Sequence, residues 1–168
     1  MASEPIFRLK EINQVCVVVK DLQKAVERYW TLLGIGPWKI YTYAPPMIKD
    51  TTYMGKPAYY SMKIGLAQVG SLVFELIQPL EGDSIYKDFI ERHGEGIHHF
   101  GFFVPKLDDA VREMEGLGFK VIQSGRGHGL HGDGGFAYLA TEDDLAATFE
   151  IIELPSVRRP PEAVYPAD

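Results

Sequence analysis

The sequence predicts an α+β fold built from two β-α-β-β-β modules, and three observations support this prediction. A strand-like segment, "INQVCVVV", precedes a segment with helical periodicity, "KDLQKAVERYWTLLGI". The same succession returns later as "GIHHFGFFV" followed by "PKLDDAVREMEGLGF". The third observation is a matched pair of late strands, "LVFELIQP" and "ATFEIIELP". A pattern that occurs twice in one chain predicts two structural units of the same kind.

Both predicted helices are amphipathic. In the first, Asp21 is suited to the N-cap and Gly34 to the C-cap, and in the second the apolar stripe ends at Gly118. The residues at helical spacing are Leu22, Ala25, Val26, Tyr29 and Leu33 in the first helix, and Leu107, Ala110, Val111, Met114 and Leu117 in the second. Each helix leads into short strands, which completes the β-α-β-β-β pattern of each module.

We therefore divide the chain into a first module (10–80), a linker helix (81–96), a second module (97–155) and a Pro-rich tail (156–168). The first module is the longer one. Its extra length lies in "WKIYTYAPPMIKDTTYMGKPAYY", which we interpret as a Pro- and Tyr-rich loop region that covers a pocket.

Composition limits the possible functions. The chain has 168 residues, of which 17 are Lys or Arg and 23 are Asp or Glu, so its formal net charge is −6. This balance gives no basic surface for nucleic acid or for an acidic membrane. Cys16 is the single cysteine, which excludes an internal disulfide, and the longest aliphatic run, "VCVVV", is too short to span a bilayer. We expect a soluble cytoplasmic protein.

Four polar residues interrupt the apolar strands at repeat-equivalent positions. Gln14 and His99 are separated by 85 positions, and Glu75 and Glu150 by 75. A buried carboxylate is costly unless it is paired or binds a metal. If the modules pack about a pseudo-twofold axis, the four side chains converge, and such N and O ligands suit Zn, Mn, Fe, Co or Ni. The alternatives are a hydrogen-bonding Gln, Arg-paired or edge carboxylates, and a core imidazole. His98 is predicted to be structural and to point to the opposite face.

Several segments resemble the vicinal oxygen chelate superfamily (glyoxalase, bleomycin resistance, dioxygenase), and especially its methylmalonyl-CoA epimerase-like and glyoxalase I-like members. The segments are "NQVCVVVKDLQKAVERYW", "LVFELIQPLEGDS", "HGEGIHHFGFFV" and "TFEIIELP". The resemblance covers roughly residues 10 to 155. It implies a curved mixed sheet around a metal cleft and a divalent metal (Zn, Co, Ni, Mn or Fe). The ligands that it implies are Gln14, Glu75, His99 and Glu150.

The sequence departs from this family in two places. The epimerases have a second proton-transfer Glu on the strand before the one that carries Glu75, but residues 51–74 contain no acidic residue. The ring-cleaving dioxygenases have a His where Gln14 stands. We therefore predict metal-assisted removal of a proton α to a carbonyl, with Glu150 as the first candidate base and Glu75 as the second.

Two further segments supply candidate substrate-binding residues. "SGRGHGLHGDGG" (124–135) contains a formal GxGxxG, but a strand follows it where a dinucleotide site requires a helix. We predict a mobile loop over the cleft, with Arg126, His128 and His131 available to an anionic or phenolic substrate; a solvated turn is the alternative. Aromatic lining for a bulky substrate is predicted from Tyr41, Tyr43, Tyr53, Tyr59 and Tyr60, with core packing as the alternative.

Three functions remain open at this level. The leading one is a metal-dependent epimerase, racemase or lyase acting on a small-molecule carbonyl substrate. The second is a metal-dependent dioxygenase, and the third is a non-catalytic protein that sequesters a small molecule. We predict a homodimer, because a second copy would cover the edge strands that so short a chain leaves exposed. The resemblance implies the same, since members of the superfamily are commonly dimers.

Overall fold

The computed structural model describes residues 7–167 and places eleven strands of this region in one curved mixed sheet. The predicted α+β class is thereby confirmed. The strands are β1 (Gln14–Val18), β2 (Trp38–Tyr43), β3 (Lys49–Tyr53), β4 (Lys56–Pro57), β5 (Met62–Val69), β6 (Leu72–Pro79), β7 (Gly96–Phe103), β8 (Val121–His128), β9 (Gly134–Leu139), β10 (Thr148–Glu153) and β11 (Ala163–Tyr165). The helices are α1 (Leu22–Leu33), α2 (Ile85–His93), α3 (Leu107–Gly116) and α4 (Glu142–Leu145).

The strand order is nearly symmetric about the middle of the sheet. It runs β11-β2-β5-β6-β1-β7-β10-β9-β8-β3-β4. β1 and β7 pair antiparallel at the centre, and each has a parallel neighbour, β6 and β10 respectively. The order β1-β6-β5-β2 is therefore mirrored by β7-β10-β9-β8. The exact module boundaries stay a prediction, as does the homodimer.

The helices α1 and α3 pack on one face of the sheet because each presents an apolar stripe to it. Leu22 and Val26 of α1 are fully buried and lie in one cluster with Trp38. The predicted caps of α1 are confirmed: Asp21 accepts a hydrogen bond from the Lys24 backbone N–H at 3.1 Å, and Gly34 is left-handed with φ of 66°. The equivalent stripe of α3 packs against β7, β9 and β10.

The opposite face of the sheet carries a second core and the polar residues. The side chains of a strand alternate between faces, so that Cys16 and Ile77 point away from α1 while Val17 and Leu76 point towards it. The helix α2 closes this second core, in which Tyr86 is fully buried. The polar residues of the central strands therefore lie between the sheet and this inner packing.

Two segments predicted as loops form strands instead. Residues 38–57 contain β2, β3 and β4, and β3 crosses to pair with β8 of the other half. Of the predicted mobile loop 124–135, residues 124–128 belong to β8 and residues 134–135 to β9. The predicted tail also contains β11, which pairs with β2. All these strands depend on pairing with residues distant in sequence, which a local pattern does not reveal.

In the described residues no helix is sufficiently long and apolar to cross a membrane.

Replacing Leu22 by Ala tests the packing of α1 on the sheet. Leu22 is 1% exposed, so the change leaves a cavity, and we expect the free energy of unfolding to fall by about 2 to 5 kcal/mol. Leu32→Ala on the same helix is the matched control, because Leu32 is 75% exposed. Urea denaturation of both variants measures the difference. Equal losses would contradict the assigned helix face.

Candidate metal centre

The four residues predicted as metal ligands lie on the four central strands and point to the same face of the sheet. They are Gln14 on β1, Glu75 on β6, His99 on β7 and Glu150 on β10. The register explains their convergence, because Cys16 pairs with Glu75 on one side and with His99 on the other. Gln14 precedes Cys16 by two positions and therefore shares its face.

Gly101 makes room for two of the four predicted ligands, Gln14 and Glu150. It is the repeat equivalent of Cys16 and pairs with Gln14 in β1 and with Glu150 in β10. A Cβ atom at this position would lie 2.8 Å from Ile152 Cδ1 and 3.1 Å from Gln14 Cβ. A side chain there would push these groups apart, so the close approach of Gln14 and Glu150 requires glycine.

The Gln14 amide and the His99 imidazole each approach both carboxylates. The Gln14 side-chain amide donates to Glu75 Oε2 at 2.9 Å and to Glu150 Oε2 at 3.1 Å. His99 Nε2 lies 3.5 Å from the same Glu75 oxygen and 3.1 Å from the same Glu150 oxygen. All four residues are buried. Two carboxylates thus meet one imidazole and one amide in the interior of the protein.

This cluster requires a positive charge because two carboxylates are removed from water together. Burial raises the pKa of Glu75, the adjacent His99 imidazole opposes the shift, and the charge of Glu150 raises the pKa further. Burial disfavours charged His99, but the neighbouring Cys16 and Glu150 outweigh burial and hold the pKa of His99 well above its usual range. A proton on His99 or a bound cation can supply the charge.

The donor set fits a divalent transition metal. His99 Nε2 is buried and has no well-oriented hydrogen-bond partner among the described residues, although two carboxylate oxygens face it. The assignment of N and O in the Gln14 amide is interchangeable, so a rotated amide would offer Oε1 to an ion. Nitrogen and oxygen ligands in this combination suit Zn or another first-row metal.

Cys16 is a further candidate ligand that the sequence analysis did not select. Ligand atoms of Cys16, Glu75 and His99 all lie within 4.8 Å of one another. Burial raises the pKa of the Cys16 thiol to about 12, so the thiol is protonated unless a cation displaces its proton. The sequence could have indicated this ligand, because Cys16 follows Gln14 by two positions and both side chains therefore lie on one face of β1.

His98 lies on the same side of the sheet as His99, so the predicted opposite orientation is wrong. The β1–β7 register shifts here: Cys16 is opposite His99, but Val17 is opposite Ile97, and His98 is the extra residue of this irregularity. His98 Nδ1 lies 2.8 Å from His99 Nδ1, and its ring contacts Phe89 of α2. This bond orients the imidazole of His99 with Nε2 towards the carboxylates.

The cluster opens into a narrow cleft with a cavity volume of about 40 Å³. Its lining residues are Gln14, Tyr43, Ile64, Leu66, Glu75, His128, Phe136, Glu150, Ile152, Leu154 and Arg158. His128 is buried and stacks on Tyr43 with ring centroids 5.6 Å apart. Its Nδ1 atom has no hydrogen-bond partner in the region that the structure describes. The cleft thus combines acidic ligands at its base with aromatic, aliphatic and basic groups on its walls.

Of the eight predicted substrate-binding residues, Tyr43 and His128 line the cleft and the other six do not. Arg126 forms an ion pair with Asp108, and His131 is exposed in the turn between β8 and β9. Tyr59 is 54% exposed, whereas Tyr60 is fully buried and donates to the Ser124 carbonyl at 2.6 Å. The sequence analysis did not select Arg158, which lines the cleft. The Pro-rich tail showed no strand pattern that would have placed Arg158 near the other cleft residues.

The sequence of residues 13–138 matches the Glyoxalase/Bleomycin resistance protein/Dioxygenase superfamily, and the chain belongs to this superfamily. Among characterised relatives, it is similar to the mitochondrial methylmalonyl-CoA epimerase of Mus musculus, with 24% identity over 131 residues. That match covers 77% of this chain and 66% of the mouse protein. An uncharacterized protein of Bacillus subtilis, YqjC, is 26% identical over 147 residues, which are 86% of this chain and 93% of that protein.

Solved structures share the fold. A variant of Streptomyces coelicolor methylmalonyl-CoA epimerase in complex with 2-nitronate-propionyl-CoA superposes with a TM-score of 0.66 at 19% identity, covering 91% of this chain and 100% of that one. The epimerase of Mycobacterium tuberculosis gives a TM-score of 0.62 at 19% identity, with coverages of 91% and 92%. The resemblance seen in the sequence is confirmed at the level of family and fold.

Removing His99 tests the metal centre. We expect chelator-treated protein to bind about one equivalent of Zn²⁺ or Co²⁺, and His99→Ala to weaken this binding by at least about 100-fold, because the buried imidazole nitrogen is lost. His93→Ala is the control, since His93 is exposed on α2. Isothermal titration measures both, with thermal unfolding of each variant alongside. A wild-type protein that binds neither ion would contradict this assignment.

The buried His128 predicts a loss of stability in mild acid. Burial is the main cause that lowers the pKa of His128 to about 4, from 6.5 in an exposed imidazole, and the charge of Arg158 adds to it. Between these values the unfolded chain binds a proton that the folded protein does not, so stability falls as the pH drops from 6.5 towards 4. The full effect is roughly 3 kcal/mol.

Urea denaturation at pH 7 and pH 4.5 measures this effect. The wild type should lose roughly 2 to 3 kcal/mol more over this interval than His128→Gln, which cannot be protonated. His131→Gln, which removes an exposed imidazole, is the matched control. Parallel curves for wild type and His128→Gln would refute the shift.

Proposed function

We propose that this protein is a metal-dependent isomerase, an epimerase or racemase, or a lyase, that moves a proton α to a carbonyl group. The observation that carries the proposal is the convergence of two buried carboxylates, Glu75 and Glu150, on the imidazole of His99. Methylmalonyl-CoA epimerases among the relatives support the same class of reaction. A site that only sequestered a ligand would not need two buried carboxylates.

Gln14, Glu75, His99 and Glu150 are the residues that would hold the divalent ion, with Cys16 next to them. When bound, the ion polarises the carbonyl group of the substrate and stabilises the negative charge of the enolate. Gln14 stands on β1 where the related dioxygenases have a His, which favours proton transfer over oxygen chemistry. Isomerisation needs no oxidant, so the protein side chains can carry out its proton transfers.

The reaction then depends on the two carboxylates. Glu150 takes the α-proton, and the electrons of the broken C–H bond move to the carbonyl oxygen to give an enolate. Glu75 is the second candidate for proton transfer and would give a proton to the carbon. Return on the opposite face inverts the carbon, as an epimerase requires. Ile64 and Phe136 line the same cleft and limit the access of water.

Hydrogen exchange in D₂O tests this proposal. Methylmalonyl-CoA is the first substrate to try, followed by other CoA thioesters and glutathione hemithioacetals. We expect deuterium at the α-carbon, detected by NMR, and a loss of about 10²- to 10⁴-fold in Glu150→Gln, because the amide keeps the size of the side chain but cannot accept the proton. Glu91→Gln on α2 is the control, since Glu91 is exposed.

The comparison with Glu75→Gln separates the mechanisms. An equal loss in both variants indicates a pair of carboxylates, whereas a loss in Glu150→Gln alone indicates a single base. Tight binding of these compounds without any exchange would contradict the proposal and favour a sequestering protein. Uptake of O₂ by the iron-loaded protein with an aromatic substrate would instead favour a dioxygenase.

A further inference from the structure

The C-terminal segment crosses the mouth of the cleft. We call residues 154–165 the C-terminal strap. Its first half is held by the turn between β8 and β9: Leu130 N–H donates to the Val157 carbonyl at 2.8 Å, and Ser156 N–H donates to Asp133 at 3.1 Å. The strap thus begins in the second half of the sheet, directly after β10.

The other end of the strap is fixed to the first half. The Glu162 carboxylate accepts hydrogen bonds from Thr42 N–H at 2.7 Å and from the Thr42 hydroxyl at 2.9 Å, and Glu162 N–H donates to the Ile40 carbonyl at 2.9 Å. β11 then pairs with β2. The strap therefore spans the two halves and is anchored on both sides of the cleft.

The strap packs so closely against the turn between β8 and β9 that position 129 must be glycine. Gly129 has φ of +93°, and a Cβ atom there would lie 2.2 Å from Pro155 Cβ and 3.2 Å from the Val157 carbonyl oxygen. The neighbouring Arg159 donates from Nε to the Gly129 carbonyl at 3.0 Å. These close contacts hold the strap, and with it Arg158, at one place on the cleft mouth.

Arg158 lines the same cleft as Gln14, Glu75 and Glu150. Its charge acts on Tyr43 and His128, which form the adjacent wall. Within residues 7–167 its guanidinium makes no hydrogen bond or ion pair, in contrast to Arg159. Arg158 is exposed, and a guanidinium at a cleft mouth whose donors have no partner in the protein is suited to bind an anion.

We propose that Arg158 binds a carboxylate group of the substrate, so that the C-terminal strap supplies the anion-recognition group of the cleft. The proposal rests on the proposed function, because it concerns the substrate of that same site. The planar guanidinium matches a carboxylate with two parallel N–H bonds. Glu75 and Glu150 at the base of the cleft disfavour a phosphate dianion more than a single negative charge.

Half-esters provide a direct binding test. Monoethyl malonate has one carboxylate next to an acidic C–H group, and diethyl malonate is its neutral counterpart. Ligand-observed NMR titration of the full chain should show that Arg158→Gln weakens binding of the half-ester by about 10- to 100-fold, the usual loss for a charge-assisted hydrogen bond. The diester should bind weakly to the wild type and to this variant alike.

Arg28→Gln is the matched control, because it removes an equal charge from an exposed position of α1, on the opposite face of the sheet from the cleft. It should change the affinity for the half-ester less than twofold. Competition with inorganic phosphate distinguishes the anions: displacement of the half-ester at equal concentration would overturn the preference for a carboxylate. Unchanged affinity in Arg158→Gln, or no measurable binding to the wild type, would overturn the proposal itself.

The two proposals fail in distinguishable ways. Binding of monoethyl malonate requires no turnover, so an Arg158-dependent affinity in a protein without deuterium exchange contradicts the proposed isomerase alone. Exchange that proceeds in the wild type, together with full half-ester affinity in Arg158→Gln, contradicts the role of Arg158 alone.

Discussion

The burial of two carboxylates, one on β6 and one on β10 of the same sheet, is the constraint on which the rest of the site depends. Glu75 and Glu150 lie among apolar side chains, where an unpaired charge would cost several kcal/mol. Gln14 donates to both, and His99 faces both. The same demand for positive charge makes the cluster suitable for a metal cation.

The near-symmetric sheet explains how one chain builds such a cluster. The repeat places a carboxylate at the same position of β6 and of β10. The antiparallel pairing of β1 with β7 then joins the two halves edge to edge in one sheet. The symmetry is broken where chemistry requires it. Gln14 has His99 as its equivalent, and Cys16 has Gly101, so the two halves contribute different side chains to the cluster.

The remaining asymmetry lies at the mouth of the cleft. β3 of the first half pairs with β8 of the second, and the C-terminal strap runs back from β10 to β2. These additions connect the two edges of the mirrored core. They also bring His128 and Arg158 to the cleft that Glu75 and Glu150 line. The buried polar cluster is thereby combined with a wall that carries an imidazole and a guanidinium.

The sequence by itself determined the two repeats, the caps of α1 at Asp21 and Gly34, and the four polar residues in apolar strands. These features follow from local periodicity and from the cost of burying charge, and both can be read from neighbouring residues. Only the tertiary structure decided the face of His98, the proximity of Cys16 to Glu75 and His99, and the place of Arg158 at the cleft. Each of these depends on register shifts or on pairing between distant segments, for which the energy comes from contacts that do not exist until the chain has folded.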